Sequence, residues 1–304
     1  MTDAIVLMST YNGENYISEQ LDSILNQDYG GSIRIIIRDD GSTDNTQEII
    51  EKYKTSPGRE ILLLKGSNIG PQRSFLELIR VADEAKYYFF SDQDDIWYLD
   101  KIKRSVQAME NRNAPTCYCS NYDIYNTRLG TKRTHILQNE PQFTPIKIIM
   151  YNQIPGCVMG FNSYLMKLLK SIHINNVMMH DSMVLSLASA VGEIVYDDEP
   201  TIEHRIHGNN VVGEGHKKII PHKWIIDKIN LVIKKDEYDI SEMAKAFLQT
   251  GAIKKENESD LILIRDFKKS VWNTIRLLRH PDTHDVFWDR TTMSIRCKIL
   301  FHVF

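Results

Sequence analysis

The sequence predicts an α/β fold built on a mostly parallel sheet with helices on both faces. Three observations carry this. The strand-like runs of the N-terminal half are apolar throughout, as strands covered on both faces are, rather than alternating. Each run is followed by a stretch with helical spacing, the rhythm of a sheet built through crossover helices. Each also stops at a polar cluster, so the clusters gather beyond the carboxyl ends of the strands, where open sheets of this kind hold their ligands.

The first run, Ile5-Val6-Leu7-Met8, ends in Ser9-Thr10-Tyr11-Asn12-Gly13, which supplies hydroxyls, an aromatic face and a turn. A helix follows, with Ile17, Leu21, Ile24 and Leu25 on one face. The second run, Ile33 to Ile37, ends in Arg38-Asp39-Asp40-Gly41-Ser42-Thr43-Asp44. Gly41 permits a tight turn, and Ser42 or Asp44 can cap the helix carrying Ile49 and Ile50. Asp39 and Asp40 themselves are residues of the helix-capping type. Ile61 to Leu64 leads through Gly66-Ser67-Asn68-Ile69-Gly70-Pro71 to a helix with Phe75, Leu78 and Ile79 inward. In its first turn Arg73 either reaches a phosphate or faces solvent.

The fourth run is the most informative. Tyr87-Tyr88-Phe89-Phe90 reads as a buried strand that ends in Ser91-Asp92-Gln93-Asp94-Asp95. Three carboxylates projected into a small space repel one another unless a cation compensates them. Hard oxygen ligands of this kind suit Mg2+ or Mn2+. A solvated acidic loop after a core strand is the competing reading.

Farther on, Ile154-Pro155-Gly156-Cys157-Val158-Met159-Gly160 is an apolar segment bounded by glycine. Met178-Met179-His180-Asp181 precedes a helix with Met183, Val184, Leu187 and Ala188 on its apolar side, so Asp181 falls near a helix N-terminus. Taken alone, it is a first-turn cap. Ile194-Val195-Tyr196 and Thr201-Ile202-Glu203-His204 are short strands leading to Arg205-Ile206-His207-Gly208-Asn209-Asn210. In the tail, Ile264, Phe267, Val271, Ile275 and Leu278 follow helical spacing among basic residues, and Val286-Phe287-Trp288 and Ile295 to Phe304 keep that mixture.

Composition narrows the function. Residues 215–304 carry 17 Lys+Arg against 12 Asp+Glu, which leaves 20 against 28 for the rest. An acidic N-terminal part argues against nucleic acid as its partner, since a phosphate-tracking groove needs a basic surface. The basic amphipathic tail suits an anionic membrane surface, and equally a homodimer contact. No apolar run approaches the roughly 20 residues that span a bilayer, and no secretory signal is evident. Cys117, Cys119, Cys157 and Cys297 show no paired metal spacing and read as free thiols of a reducing cytosol.

In order and spacing, Ser9-Thr10-Tyr11-Asn12, Asp39 to Asp44 and Asp92 to Asp95 resemble the family-2 inverting glycosyltransferases of GT-A fold, over about residues 3 to 213. Ser91 to Trp97 and His204 to Asn210 look most like the bacterial rhamnosyltransferase-type members that build surface polysaccharides. The resemblance implies a catalytic domain over 1–213 and a helical appendage over 214–304, in a cytoplasmic protein peripheral to the inner face of the cell membrane. Its partners would be a dTDP- or UDP-linked sugar donor and a glycan or lipid-linked glycan acceptor. L-Rhamnose is the sugar it favours; UDP-galactose, UDP-N-acetylhexosamine and UDP-galactofuranose are the competing donors.

Residue by residue, the resemblance implies that Asp39 accepts from the imide N–H of uracil or thymine, with Thr10 and Tyr11 against the same base. Asn12, Asp40, Asn68 and Arg73 complete that side of the donor site. Asp92 would meet the ribose or the metal, and Asp94 the metal that bridges the phosphates. His207, 26 residues after Asp181, would be a further metal ligand, and a structural histidine otherwise. Arg205 would neutralise diphosphate. Gly156 would allow the donor sugar a close approach, or simply form a turn. Asp181 would be the general base, although His180 stands where Glu is commoner in the family. Two other classes remain: a nucleotidyltransferase, which should carry a basic, Gly-rich N-terminal loop that Ser9 to Asn15 lacks, and a non-catalytic nucleotide-sugar-binding module.

Overall fold

The computed structural model describes residues 2–58, 60–174, 179–207, 239–284, 298–300 and 302. Met178, Gly208-Asn209-Asn210, Val286-Phe287-Trp288 and most of 295–304 therefore lie outside the described residues. The chain divides into two compact units. The first takes in Met1–Pro141, Ile154–Lys170 and Gly192–Gly213; the second takes in Gln142–Gln153, Ser171–Val191 and Glu214–Phe304. The second unit thus draws on two earlier segments as well as the C-terminal region, which differs from a simple division of the chain at 213.

The first unit is organised by β1 (Thr2–Thr10), β2 (Ile33–Asp39), β3 (Glu60–Lys65) and β4 (Ala85–Ser91). All four are parallel, with β1 between β2 and β4 and with β3 outside β2. Their apolar residues are buried on both faces: Ile5, Val6, Leu7, Ile36, Ile37, Phe89 and Phe90 have no exposed surface. Burial of a side chain of this size contributes about 1.5–3 kcal/mol. The helices α1 (Ile17–Leu25), α2 (Thr46–Lys54) and α3 (Pro71–Val81) follow in the expected places. Of the proposed caps for α2, only Asp44 acts: Oδ1 accepts from the Thr46 N–H at 3.0 Å. Ser42 instead turns its hydroxyl to Asp39.

Beyond β4 the order is less obvious from the sequence. After β5 (Ile96–Trp97) and α4 (Lys101–Met109) come β6 (Thr116–Ser120), β7 (Asp123–Asn126) and β8 (Thr131–Arg133). A helical turn at Gly156–Val158 leads into β9 (Met159–Asn162), which is followed by α6 (Ser163–Ser171), β10 (Glu193–Asp197) and β11 (Ile202–Ile206). β9 inserts antiparallel between β4 and β6, which gives a seven-stranded sheet of order β10-β6-β9-β4-β1-β2-β3. A smaller sheet, β5-β11-β7-β8, carries β11 to Trp97 and Ile96 of β5, immediately after the acidic cluster.

The second unit is helical in its described residues: α5 (Pro145–Met150), α7 (His180–Val191), α8 (Ile240–Gln249), α9 (Lys255–Asp266), α10 (Val271–Leu278) and α11 (Pro281–His284). α7 is buried along nearly its whole length. Asn257 and the Lys254 amide close the α7 C-terminus by donating to the Ser189 and Ala190 carbonyls. The tail periodicity is corrected here. Ser270 takes an extended backbone and its side chain accepts from the Asn273 N–H, which starts a new helix out of register with α9. Thr274 and Leu277 are buried as a result, whereas Val271 and Trp272 are 73% and 76% exposed. The basic residues before it are locally paired, Lys268 with Asp239 and Lys269 with Asp266. No helix of the described residues is long and apolar enough to cross a membrane.

Candidate active site

Parallel pairing brings the strand ends level. Thr10 registers with Asp39, and Met8 with Ser91, so the polar residues after β1, β2 and β4 meet at one edge of the sheet. Asp39 is fully buried, and each carboxylate oxygen has donors. Oδ2 accepts from Thr10 Oγ1 at 3.1 Å and Ser42 Oγ at 2.5 Å. Oδ1 accepts from the Ser42 N–H at 2.9 Å and Gln47 Nε2 at 2.6 Å. A base imide would therefore share this carboxylate with groups that already fix its orientation. Gly41 makes the turn with φ of 83°, where a Cβ would lie 3.1 Å from the Asn68 amide nitrogen.

Asp40 has a different job from its neighbour. Its Oδ1 accepts from Arg38 at 2.5 Å and the Ile69 N–H at 2.9 Å, and Oδ2 accepts from the Gly70 N–H at 2.8 Å. It thus ties the loop before α3 to the end of β2. Asn68 is exposed on that loop and Arg73 is exposed on α3. Tyr11 is 45% exposed at the end of β1. Asn12 accepts from the Thr43 N–H at 2.9 Å, which stitches the first loop to the second.

The acidic loop resolves into two carboxylate–imidazole pairs. Asp94 Oδ2 lies 2.8 Å from His207 Nε2, and Asp95 Oδ1 lies 2.7 Å from His204 Nδ1. His207 is further placed by Tyr16, which stacks on it at 4.3 Å between ring centroids. Burial and the Asp95 charge hold the Asp94 carboxyl above the usual carboxylate range, against the pull of His207. Burial acts on Asp95 in the same sense, but His204 outweighs it and the carboxyl falls below its usual value. Burial alone would lower the His204 pKa; Asp95, then Asp92 and Asp94, raise it to about 9. The inner pair is therefore an ion pair; the outer pair brings a carboxylate oxygen and an imidazole nitrogen into contact.

The sequence grouped Asp92, Asp94 and His207 as metal ligands. The structure joins Asp94 to His207 but does not draw Asp92 with them into a set of donor atoms within 4.8 Å. Among the described residues, the sets that do converge so closely are Asp95, Cys157 and His204 here, and Asp260, His280 and Asp282 in the second unit. The residues of the first set hold one another: His204 is the counter-ion of Asp95, and burial pushes the Cys157 thiol far up. For a divalent cation the outer pair is the better fit, because Asp94 carries the charge that its surroundings oppose.

Several placements were not foreseeable. Arg205 is 6% exposed, pairs with Glu19 of α1 and lies over the Tyr16 ring at 5.9 Å; its amide donates to Asp95 at 3.3 Å. One nitrogen of its guanidinium thus pairs with Glu19; the sequence offered the group to a diphosphate. Lys101, at the start of α4, has no exposed surface; its ammonium donates to the Cys157 carbonyl at 2.9 Å and lies 4.7 Å from the Trp97 ring centroid. Burial lowers its pKa to about 8. Gly156, buried in the turn before β9, is held next to that carbonyl. Cys117, Cys119 and Cys157 are buried free thiols, and Cys297 lies outside the described residues.

In the second unit, Asp181 stands in the first turn of α7, where Oδ1 accepts from the Ser182 N–H at 2.6 Å and Ser182 Oγ at 3.3 Å. His180 is 4% exposed, and burial pushes its imidazole down to about 3. An unfolded histidine titrates near about 6.5. The unfolded chain therefore takes up a proton that the folded one refuses, and stability is expected to fall as pH drops from about 6.5 towards about 3. Thermal melts of His180→Gln should show a shallower acid limb than the unmodified protein. An unchanged limb would assign the loss to carboxylates instead.

With this geometry in view, the comparisons with known proteins are direct. The model of glycosyl transferase family 2 matches residues 5–172. The chain is 32% identical over 263 residues to the dTDP-rhamnosyl transferase RfbG of Shigella flexneri, covering 79% of this chain and 89% of that one. It is also 34% identical over 110 residues to the poly(ribitol-phosphate) beta-N-acetylglucosaminyltransferase TarS of Staphylococcus aureus, over 36% of this chain and 19% of that one. Among solved structures, S. aureus TarS 1-349 in complex with UDP-GlcNAc superposes with a TM-score of 0.58 at 18% identity, over 99% of this chain and 81% of that one. The mannosyltransferase PcManGT from Pyrobaculum calidifontis, in complex with GDP-Man and Mn2+, gives 0.58 at 17% identity, over 99% and 90%. The chain belongs to glycosyl transferase family 2. It has the GT-A fold and is a glycosyltransferase.

Proposed function

We propose that this enzyme is an inverting, metal-dependent transferase that moves L-rhamnose from dTDP-β-L-rhamnose to a hydroxyl of a growing, lipid-linked bacterial surface polysaccharide. The observation that carries the reading is the meeting of Asp94 and His207 at the sheet edge that also presents Tyr11 and Asp39. In it, Tyr11 stacks on the base, Asp39 accepts its imide N–H, and Asp94 and His207 would hold Mn2+ or Mg2+. A bound cation supplies positive charge to the departing diphosphate. Asp181 accepts the acceptor hydroxyl proton as that oxygen attacks the anomeric carbon from the face opposite the leaving diphosphate. One displacement then inverts the centre, and no nucleophilic side chain is required. The Ser182 amide and hydroxyl hold one oxygen of Asp181, which orients the carboxylate for that transfer. In the same reading, the exposed Val271 and Trp272 beside basic residues belong to a surface that meets the anionic inner face of the membrane.

Support for rhamnose is the extended similarity to the dTDP-rhamnosyl transferase. A UDP-sugar reading is favoured instead by the similarity to TarS, and a carboxylate at Asp39 suits uracil and thymine alike. A donor panel separates them. With Mn2+ and a short lipid-linked glycan, nucleotide release should be fastest from dTDP-L-rhamnose. Faster release from UDP-galactose, a UDP-N-acetylhexosamine or UDP-galactofuranose would transfer the assignment to that donor.

A further inference from the structure

Gln93 lies between Asp92 and Asp94, yet its side chain turns away from the carboxylates to the neighbouring loop. Its Oε1 accepts from the Tyr11 N–H at 2.9 Å, and its Nε2 donates to the Tyr11 carbonyl at 3.0 Å. A primary amide meets a peptide unit here as an adjoining strand would, using both backbone groups of one residue. The next residue, Asn12, has a left-handed backbone with φ of 49°. The opposite side of the loop is pinned as well: the Asn12 N–H donates to Ser42 Oγ at 2.9 Å and the Gly13 N–H to Thr46 Oγ1 at 2.8 Å.

Gly13 makes the arrangement possible. A Cβ on it would lie 2.2 Å from Gln93 Oε1, 2.5 Å from Cδ and 3.1 Å from Nε2. The three nearest atoms to that Cβ all belong to Gln93, so glycine at this position and the amide at 93 form one device.

The geometry points to Gln93 as a positioning residue of the donor site: its amide latches the Tyr11–Gly13 loop to the loop that carries Asp94. The inference rests on the functional reading above, in which Tyr11 faces the base and Asp94 serves the diphosphate. The latch holds those two ends of the donor at a fixed spacing before it binds. Two hydrogen bonds at an exposed loop contribute little to global stability. Their loss leaves the loop to be ordered on binding, and that cost falls on nucleotide affinity.

The test is a double-mutant cycle on the full chain, with UDP and dTDP binding in the presence of Mn2+ measured by calorimetry and donor KM and kcat alongside. Gln93→Ala should weaken nucleotide binding about tenfold, through loss of roughly two modest hydrogen bonds. KM should rise by more than kcat falls, with the melting temperature little changed. Gly13→Ala should weaken binding to the same extent, because its Cβ displaces the amide. The Gly13→Ala, Gln93→Ala double variant should bind no worse than Gln93→Ala alone, since the methyl then has nothing to displace. If an alanine variant fails to fold, Gln93→Glu serves; it keeps the volume but sets a carboxylate oxygen against the Tyr11 carbonyl, and should show the same KM-dominated loss. A silent Gly13→Ala, or losses that multiply in the double variant, would overturn the latch while wild-type nucleotide binding stays intact. So would variants that lose melting temperature yet bind nucleotide normally when folded. A wild-type protein that binds neither nucleotide overturns the functional reading, and the latch with it, before any variant is made.

Discussion

Replacing Asp94 with alanine is expected to remove most transferase activity and all stabilisation of the protein by Mn2+. The carboxylate's charge is incompletely compensated: burial and Asp95 both oppose its ionisation, and His207 only partly offsets them. A divalent cation reverses that balance, so its binding should raise the melting temperature of the wild-type protein in a concentration-dependent way. The variant loses both the charge and the partner of His207, and its melting curve should be the same with and without Mn2+. The fold should persist. Relief of repulsion with Asp95 and loss of the His207 contact act in opposite directions, so the net change is expected to stay within about 1 kcal/mol. Turnover that survives Asp94→Ala, or survives in the wild type with a strong chelator, would remove the metal from the account.

Asp181→Asn tests the other half of the mechanism. Asparagine is nearly isosteric and still accepts from the Ser182 amide and hydroxyl at its carbonyl oxygen, so the start of α7 should be preserved. It cannot take a proton at neutral pH. Turnover should fall by about 10²–10⁴-fold, the usual cost of losing a general base. Nucleotide binding should change little, because none of the groups assigned to the donor lies on α7. A variant with normal turnover and a lower melting temperature would mean that Asp181 serves α7 rather than the acceptor hydroxyl.

The contrast between Asp39 and Asp40 shows how far local sequence reaches. That both lie at the ligand-bearing edge was legible, because apolar runs marked β1, β2 and β4 and parallel pairing sets their ends level. What each carboxylate touches was not. Asp39 turns to Thr10, Ser42 and Gln47, while Asp40 turns to Arg38 and the amides before α3, and that choice depends on where β3 and its loop return. Arg205 is a similar case. Its position two residues before His207 suggested a phosphate; its pairing with Glu19, from a strand that runs beside β5, could not be read from that position. Nothing in the sequence singles out Lys101; only the insertion of β9, with the Cys157 carbonyl before it, reveals a buried ammonium. Gln93 stood inside the motif that identified the family, yet the motif was read for its charges. No sequence signal pointed to it; the structure alone shows that a Cβ at Gly13 would meet the Gln93 amide.

The most direct test of the whole account is the anomeric configuration of the product. Full-length enzyme would be incubated with dTDP-β-L-rhamnose, Mn2+ and a short glycan acceptor, and the new linkage read by proton NMR. The account predicts an α-L-rhamnoside, formed together with dTDP and only while the cation is present. A β-linked product, or the same product at the same rate in excess chelator, would contradict single displacement at a metal-bearing site.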